Sequence, residues 1–129
     1  PAAACLTTNL PFKSLGRRMK KWAVFPIVEP TRRANGLVGK VVYVDHFGNL
    51  ITNFALKHVG AVQSTAPRKG LALEIAGHRV NGLVASYMEG SKVKPSALIN
   101  SNGAVEVFLR EGSAAQWLKV RRGVDITLS

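Results

Sequence analysis

Gly36-Leu-Val-Gly-Lys-Val-Val-Tyr-Val-Asp45-His46-Phe47-Gly48-Asn49-Leu-Ile-Thr-Asn-Phe54 is the stretch whose reading decides the fold. Val41–Val44 is a β-branched and aromatic run and reads as a strand. Leu50–Phe54 reads as a second. The break between them, Asp45–Asn49, is too polar and too dependent on glycine for a strand interior. Gly48 permits positive φ, and Asn49 tolerates it better than most residues. The break therefore sets a carboxylate, a ring and an amide side by side at Asp45, Phe47 and Asn49. Such a trio suits a polar ligand that carries a flat heterocycle. The plainer alternative is a strand corner in which Asp45 and Asn49 bond their own backbone, and local chemistry leaves both open.

Working outward, the same alternation of short apolar runs and turn signals recurs. Asn35-Gly36 is a turn that leads into the first strand. Ala55–Lys69 reads as a loop with about one helical turn, and His58 within it as a solvated loop histidine. Leu71–Ala76 is a strand, Gly77-His78 a two-residue turn, and Arg79–Tyr87 the returning strand, bent at Asn81-Gly82. Ala97–Asn100 and Ala104–Arg110 pair across Asn102-Gly103, a type I′ hairpin signal. In the latter strand Val105, Val107 and Leu109 alternate with Glu106, Phe108 and Arg110. Ser113-x-x-Gln116 is a capping box opening a helix through Leu118. Val124–Leu128 closes the chain as a strand. About seven short strands with turns between them and no βαβ rhythm predict a mainly all-β chain. The expected architecture is an antiparallel β-barrel or sandwich with one short helix near the C-terminus.

The first 35 residues read differently. Pro1–Leu6 reads as the start of a short helix. Pro11–Asn35 reads as a linker, punctuated by Pro11, Pro26 and Pro30, with Pro26–Pro30 extended. The expected division is 1–35 as short helix and linker and 36–129 as the β-barrel domain.

With 129 residues the chain is one domain by size, long enough for a real core, and its 47% hydrophobic content rules out a disordered chain. No run approaches the roughly 18 apolar residues a membrane-spanning helix needs. The single Cys5 excludes an internal disulfide and fits a cytoplasmic protein. Lys and Arg number 18 against 7 Asp and Glu, a formal charge of +11. That excess makes a small basic nucleic-acid-binding barrel the alternative reading. Part of it is local, at Lys13, Arg17, Arg18, Lys20, Lys21, Arg32 and Arg33, and a solvated face accounts for it equally well. Trp22 and Phe25 sit among apolar neighbours there, whereas an RNA platform needs exposed aromatics interleaved with its cations.

Enzymatic constellations are absent from the residues themselves. No Cys/His spacing suits zinc, no Gly-rich loop precedes a helix to cradle phosphate, and there is no Gly-x-Ser-x-Gly elbow. His46, His58 and His78 fall in three separate loops with no base–nucleophile pairing. By chemistry alone the chain is a binding domain.

Three segments carry a resemblance. Val-Val-Tyr-Val-Asp-His-Phe-Gly-Asn-Leu-Ile-Thr-Asn at 41–53, Leu98–Val107 and Glu111–Leu118 resemble, in order and spacing, the C-terminal domain of the S-adenosylmethionine hydroxide adenosyltransferases. These are adenosine-forming S-adenosylmethionine hydrolases related to the fluorinase and chlorinase. The resemblance implies that Pro1–Leu6 matches the last helix of an N-terminal domain. The ligand would then sit between the N-terminal domain of one subunit and the β domain of a neighbour in a homotrimer. It further implies that Asn49 bonds the adenine edge, that Phe47 or Tyr87 gives it a flat face, and that Asp45 pairs with the amino group of S-adenosylmethionine. Ser101 and Asn102 would bind its carboxylate. Asn102 stands where the fluorinase has arginine, a departure that speaks against halide chemistry. S-adenosylmethionine enters as substrate, with no separate cofactor. No catalytic residue is expected in this chain, because the Asp, Arg and His set that activates water belongs to the N-terminal domain. The 129 residues by themselves are expected to be nearly inactive.

Overall fold

The β-branched run extends further back than Val41. Strand β2 covers Gly36–Val44, and its alternation buries Leu37, Gly39 and Val41 on one face. The computed structural model describes residues 2–23, 28–65 and 70–129. Phe25 and the Pro26-Ile27 part of the expected extended linker lie outside the described residues, as does the end of the Ala55–Lys69 stretch.

The other strands are β1 (Thr31–Arg33), β3 (Leu50–Ala55), β4 (Ala72–Ile75), β5 (His78–Asn81), β6 (Ser96–Ile99), β7 (Ala104–Phe108) and β8 (Asp125–Leu128). The helices are α1 (Ala2–Leu6), α2 (Leu56–Thr65) and α3 (Ala114–Leu118). Every strand pair is antiparallel, in the order β5-β4-β8-β2-β3-β7-β6, with β1 added to the first part of β2. The early part of β2 pairs with β8 and its later part with β3, with a shift of register between Val41 and Tyr43. That irregularity turns one strand from the first sheet into the second. At the far edge the Val84 N–H donates to the Ala97 carbonyl at 2.8 Å, so the segment after β5 meets β6. The result is the expected barrel, nearly closed. Its core is Leu37, Val41, Leu50, Phe54, Leu73, Ile75, Val105, Val107, Ile126 and Leu128, with Leu118 of α3.

Five local expectations need correction. The stretch after β3 is not a loop with one helical turn but a ten-residue helix, α2. Gly60 and the β-branched Val59 and Val62 weaken its intrinsic propensity. Burial of Val59 and Val62, three residues apart on one face, outweighs that. The helix start is also capped: the Ala55 N–H donates to His58 Nδ1 at 2.8 Å, so His58 is a capping residue rather than a solvated one. The β4–β5 turn is Ala76-Gly77, one residue early, because Ala76 accepts a positive φ of 49°. The returning strand stops at Asn81, and Tyr87 lies in a 3-10 turn, Tyr87–Glu89.

The fifth concerns the β6–β7 hairpin. Its loop is the three residues Ser101-Asn102-Gly103, with only Gly103 at positive φ (75°). The Gly103 N–H closes on the Asn100 carbonyl at 2.9 Å, a type I turn followed by a glycine bulge rather than a type I′ turn. Replacing Phe54, fully buried against the core, with alanine is expected to cost about 3–5 kcal/mol. Urea unfolding would read this as a lower midpoint at unchanged slope. A loss under about 1 kcal/mol would remove Phe54 from the core as placed here.

Candidate functional site

The loop joining β2 to β3 is built by Asp45. Its Oδ1 accepts the backbone N–H of Phe47 at 2.9 Å and of Asn49 at 2.8 Å, and its Oδ2 accepts Asn49 Nδ2 at 3.0 Å. Backbone bonds from Asp45 N–H to the Asn49 carbonyl (3.0 Å) and from Gly48 N–H to the Asp45 carbonyl (3.1 Å) complete a rigid Asx turn. The strand-corner alternative is therefore the local structure, and it leaves chemistry to spare. Among the described residues, the side-chain oxygen and second amide hydrogen of Asn49 bond nothing. Phe47 projects outward and is 74% exposed.

Gly48 seats this loop on the next element. It has φ 84°, and a Cβ there would meet Ser113 Oγ within van der Waals distance. The Gly48 carbonyl accepts the Ala115 N–H at 2.9 Å. Ser113 caps α3, its Oγ accepting the Gln116 N–H at 3.1 Å, which is the Ser113 half of the expected capping box. Gly48→Ala is expected to lower stability by about 1–3 kcal/mol, through a forced φ and a crowded cap, visible as a drop in Tm.

A hollow of about 650 Å³ opens beside the loop, lined by Asp45, Phe47, Asn49, Tyr87 and the turn Leu109–Ser113. Tyr87 reaches it from far along the chain, because the segment after β5 crosses the outer face of β7. There its ring stands edge-to-face on Phe108 with centroids 4.9 Å apart, and its hydroxyl donates to Glu106 Oε1 at 2.7 Å. The alternation of β7 places Glu106 and Phe108 outward, yet both are buried under this covering segment. Burial of the hydroxyl first, then the hydrogen bond to Glu106 and the charges of Glu106 and Asp45, push the Tyr87 phenol from 10.0 up to about 12.

The far wall of the hollow is the turn Leu109–Gly112, closed by the Gly112 N–H on the Leu109 carbonyl at 3.1 Å, with Glu111 at φ 58°. Arg110 is tied back through Nη1 to the Met88 carbonyl at 2.6 Å, while its buried Nε has no partner. Lys92 lies 2.6 Å from Glu111 and, through that hydrogen bond, holds its carboxyl below the usual range.

Of the six residues expected to bind ligand, the structure brings Asp45, Phe47, Asn49 and Tyr87 to one hollow. It sets Ser101 and Asn102 at the exposed tip of the β6–β7 hairpin. Asn102 there lines a second hollow, of about 620 Å³, with Lys40, Asn53 and Arg122. Arg110 and Glu106 were not singled out from sequence. The outward register of β7 put both on one face, but nothing local told that the face would be covered. Among the described residues no group of three or more His, Cys, Asp or Glu is placed to hold a metal ion, and no helix is long and apolar enough to cross a membrane.

Tyr87 gives this site a measurable signature. Its folded value lies above the ordinary 10.0, so its contribution to stability is whole below pH 10 and is lost as pH rises through about 12. Ultraviolet titration of the folded chain is expected to show a tyrosinate component near 12 that disappears in Tyr87→Phe. A component near 12 surviving in that variant would place the perturbed phenol elsewhere.

Residues 39–127 match the SAM hydroxide adenosyltransferase C-terminal domain. The chain is 30% identical, over 128 residues, to the (R)-S-adenosyl-L-methionine hydrolase of Thermus thermophilus, covering 99% of this chain and 45% of that protein. It superimposes on a conserved hypothetical protein, also from Thermus thermophilus, with a TM-score of 0.65 at 30% identity, spanning all of this chain and 49% of the other. A conserved protein from Thermotoga maritima gives a TM-score of 0.70 at 22% identity, over 98% of this chain and 48% of that one, a likeness of fold. The chain thus spans about half the length of these relatives. With this match over most of its length, the chain belongs to the family of the SAM hydroxide adenosyltransferase C-terminal domain.

Proposed function

We propose that this chain is the adenosine- and S-adenosylmethionine-binding C-terminal part of an enzyme that hydrolyses S-adenosylmethionine to adenosine and L-methionine. The observation that carries the reading is the convergence of Asp45, Phe47, Asn49 and Tyr87 on one hollow, although Tyr87 lies 38 residues beyond Asn49 in sequence.

Each group has a part to play. Asn49 has one acceptor and one donor unspent, the pattern that meets the N6 amino group and N7 of adenine. Its amide is held still by Asp45, so little freedom is lost on binding. The exposed rings of Phe47 and Tyr87 offer flat apolar faces to the purine, worth about 1–3 kcal/mol per stacked base. Asp45 brings the negative charge that an α-ammonium or a sulfonium seeks.

In the reaction, the water oxygen bonds to C5′ of the ribose as the C5′–S bond breaks. The electron pair returns to the methionine sulfur, and the water gives up a proton. The groups that activate this water are assigned to the N-terminal domain of the same family, brought against the β domain in a homotrimer. The chain's share is to fix adenine and the amino acid so that C5′ is presented in line. Exposed Phe12, Met19 and Trp22 on the segment before the barrel fit a surface that further protein covers.

Calorimetric titration of the chain with adenosine at physiological salt tests this. Asn49→Ala is expected to weaken binding by about 10-fold or more, the loss of a bidentate contact. RNA affinity that falls steeply with salt and ignores Asn49→Ala, with no adenosine bound, would contradict the reading and favour a basic nucleic-acid-binding barrel.

A further inference from the structure

Glu106 is 4% exposed and lies on β7, between the two places to which the candidate ligand contacts are divided. Its Oε1 accepts the Tyr87 hydroxyl at 2.7 Å and its Oε2 accepts Asn100 Nδ2 at 3.0 Å. Asn100 in turn organises the hairpin tip. Its Oδ1 accepts the backbone N–H of Asn102 at 3.0 Å and of Ala104 at 3.1 Å. One buried carboxylate thus spans from the ring that faces the hollow to the amide that shapes the Ser101–Gly103 turn.

Stability alone gives this carboxylate no evident reason to be there. A buried carboxylate is costly, and an apolar residue against Phe108 would fill the space without that cost. What it supplies is direction. Edge-to-face contact with Phe108 sets the plane of the Tyr87 ring, and a short bond from its hydroxyl to an anchored carboxylate fixes where the tip of the side chain lies, so that the ring is held beside the hollow. Likewise, the Asn100 amide cannot turn over to present its oxygen to Glu106 without giving up the two tip N–H groups it now accepts.

We propose that Glu106 is a positioning residue for the ligand site: it orients the Tyr87 ring toward the hollow and locks the hairpin tip through Asn100, so that a single side chain sets both ends of the binding surface. This inference rests on the adenosine-binding reading above. Two consequences separate it from a merely structural role. Removing the Glu106 charge alters the Tyr87 phenol itself, and its effect on ligand binding passes through Tyr87 and so does not add to loss of the Tyr87 hydroxyl.

The test uses the full chain, its Glu106→Gln and Tyr87→Phe variants and the double variant, with adenosine as the probe. Tyr87→Phe removes one hydroxyl and keeps the ring, so it reports even where Glu106→Gln folds poorly. Glu106→Gln is expected to bring the Tyr87 titration down from about 12 toward its ordinary value. Each single variant is expected to weaken adenosine about 5-fold or more, and the double variant no further than the worse single. A Tyr87 titration unmoved by Glu106→Gln would overturn the proposal. So would adenosine losses that multiply in the double variant, or a Tyr87→Phe variant that binds adenosine as the parent does. Failure of the parent chain to bind adenosine would sink the functional reading and this inference together, and is told apart because it shows before any substitution.

Discussion

Strand β2 belongs to two sheets at once, and the register shift between Val41 and Tyr43 is what allows it. Leu37–Lys40 pairs with β8 and Val41–Val44 with β3, the shift falling inside the second ladder, so the sheet turns a corner without a break in the chain. Closure follows from that corner. It brings Leu37 and Val41 inward with Phe54, Ile126 and Leu128, and it aims the end of β2 at the rim of the barrel. The Asp45–Asn49 loop starts where the strand ends, so the direction of the site is a consequence of how the barrel closes. The loop itself needs little from the rest of the fold, since one carboxylate satisfies two of its backbone N–H groups and the Asn49 amide.

Construction from outside the barrel is the second constraint. A strand in a small barrel ordinarily shows one face to the core and one to water. On β7 both faces are buried, because the segment carrying Tyr87 and Met88 crosses its outer side and is pinned there by Arg110 on the Met88 carbonyl. The hollow forms between that crossing segment, the Asx turn and the Leu109–Gly112 turn. Three pieces distant in sequence thus meet along one strand edge, and most of the polar groups facing inward are already bonded to one another. The free edges left to a ligand are the Asn49 amide, two aromatic faces and the backbone of the turn.

How legible this was in the sequence varies with the range of the interactions. The Asx turn was readable because its bonds run from Asp45 only as far as Asn49, and the Ser113 cap because it closes within one helical turn. The β-barrel itself was readable from short strands alternating with turn residues. Helix α2 was not, since a sequence with Gly60 and two valines is a weak helix former and gains its order from burial on the barrel. Alternation in β7 gave the correct faces but not the correct environment. Periodicity tells which side chains share a side and says nothing of what covers that side. The burial of Glu106 was therefore not legible, and its link to Tyr87 spans 19 positions that no local rule connects. The hairpin tip misled for a smaller reason: Asn-Gly suits type I′, yet one added loop residue lets Asn102 keep an ordinary φ and leaves the positive φ to Gly103.

The central claim is that the hollow beside Asp45 receives an adenine-bearing ligand. Backbone amide resonances followed during titration with adenosine test it most directly. The account predicts saturable shifts at Phe47, Asn49, Tyr87 and the Arg110–Gly112 turn, with the exposed Lys13–Lys21 segment unmoved. Shifts confined to the basic segment, or none at the hollow at saturating adenosine, would contradict it.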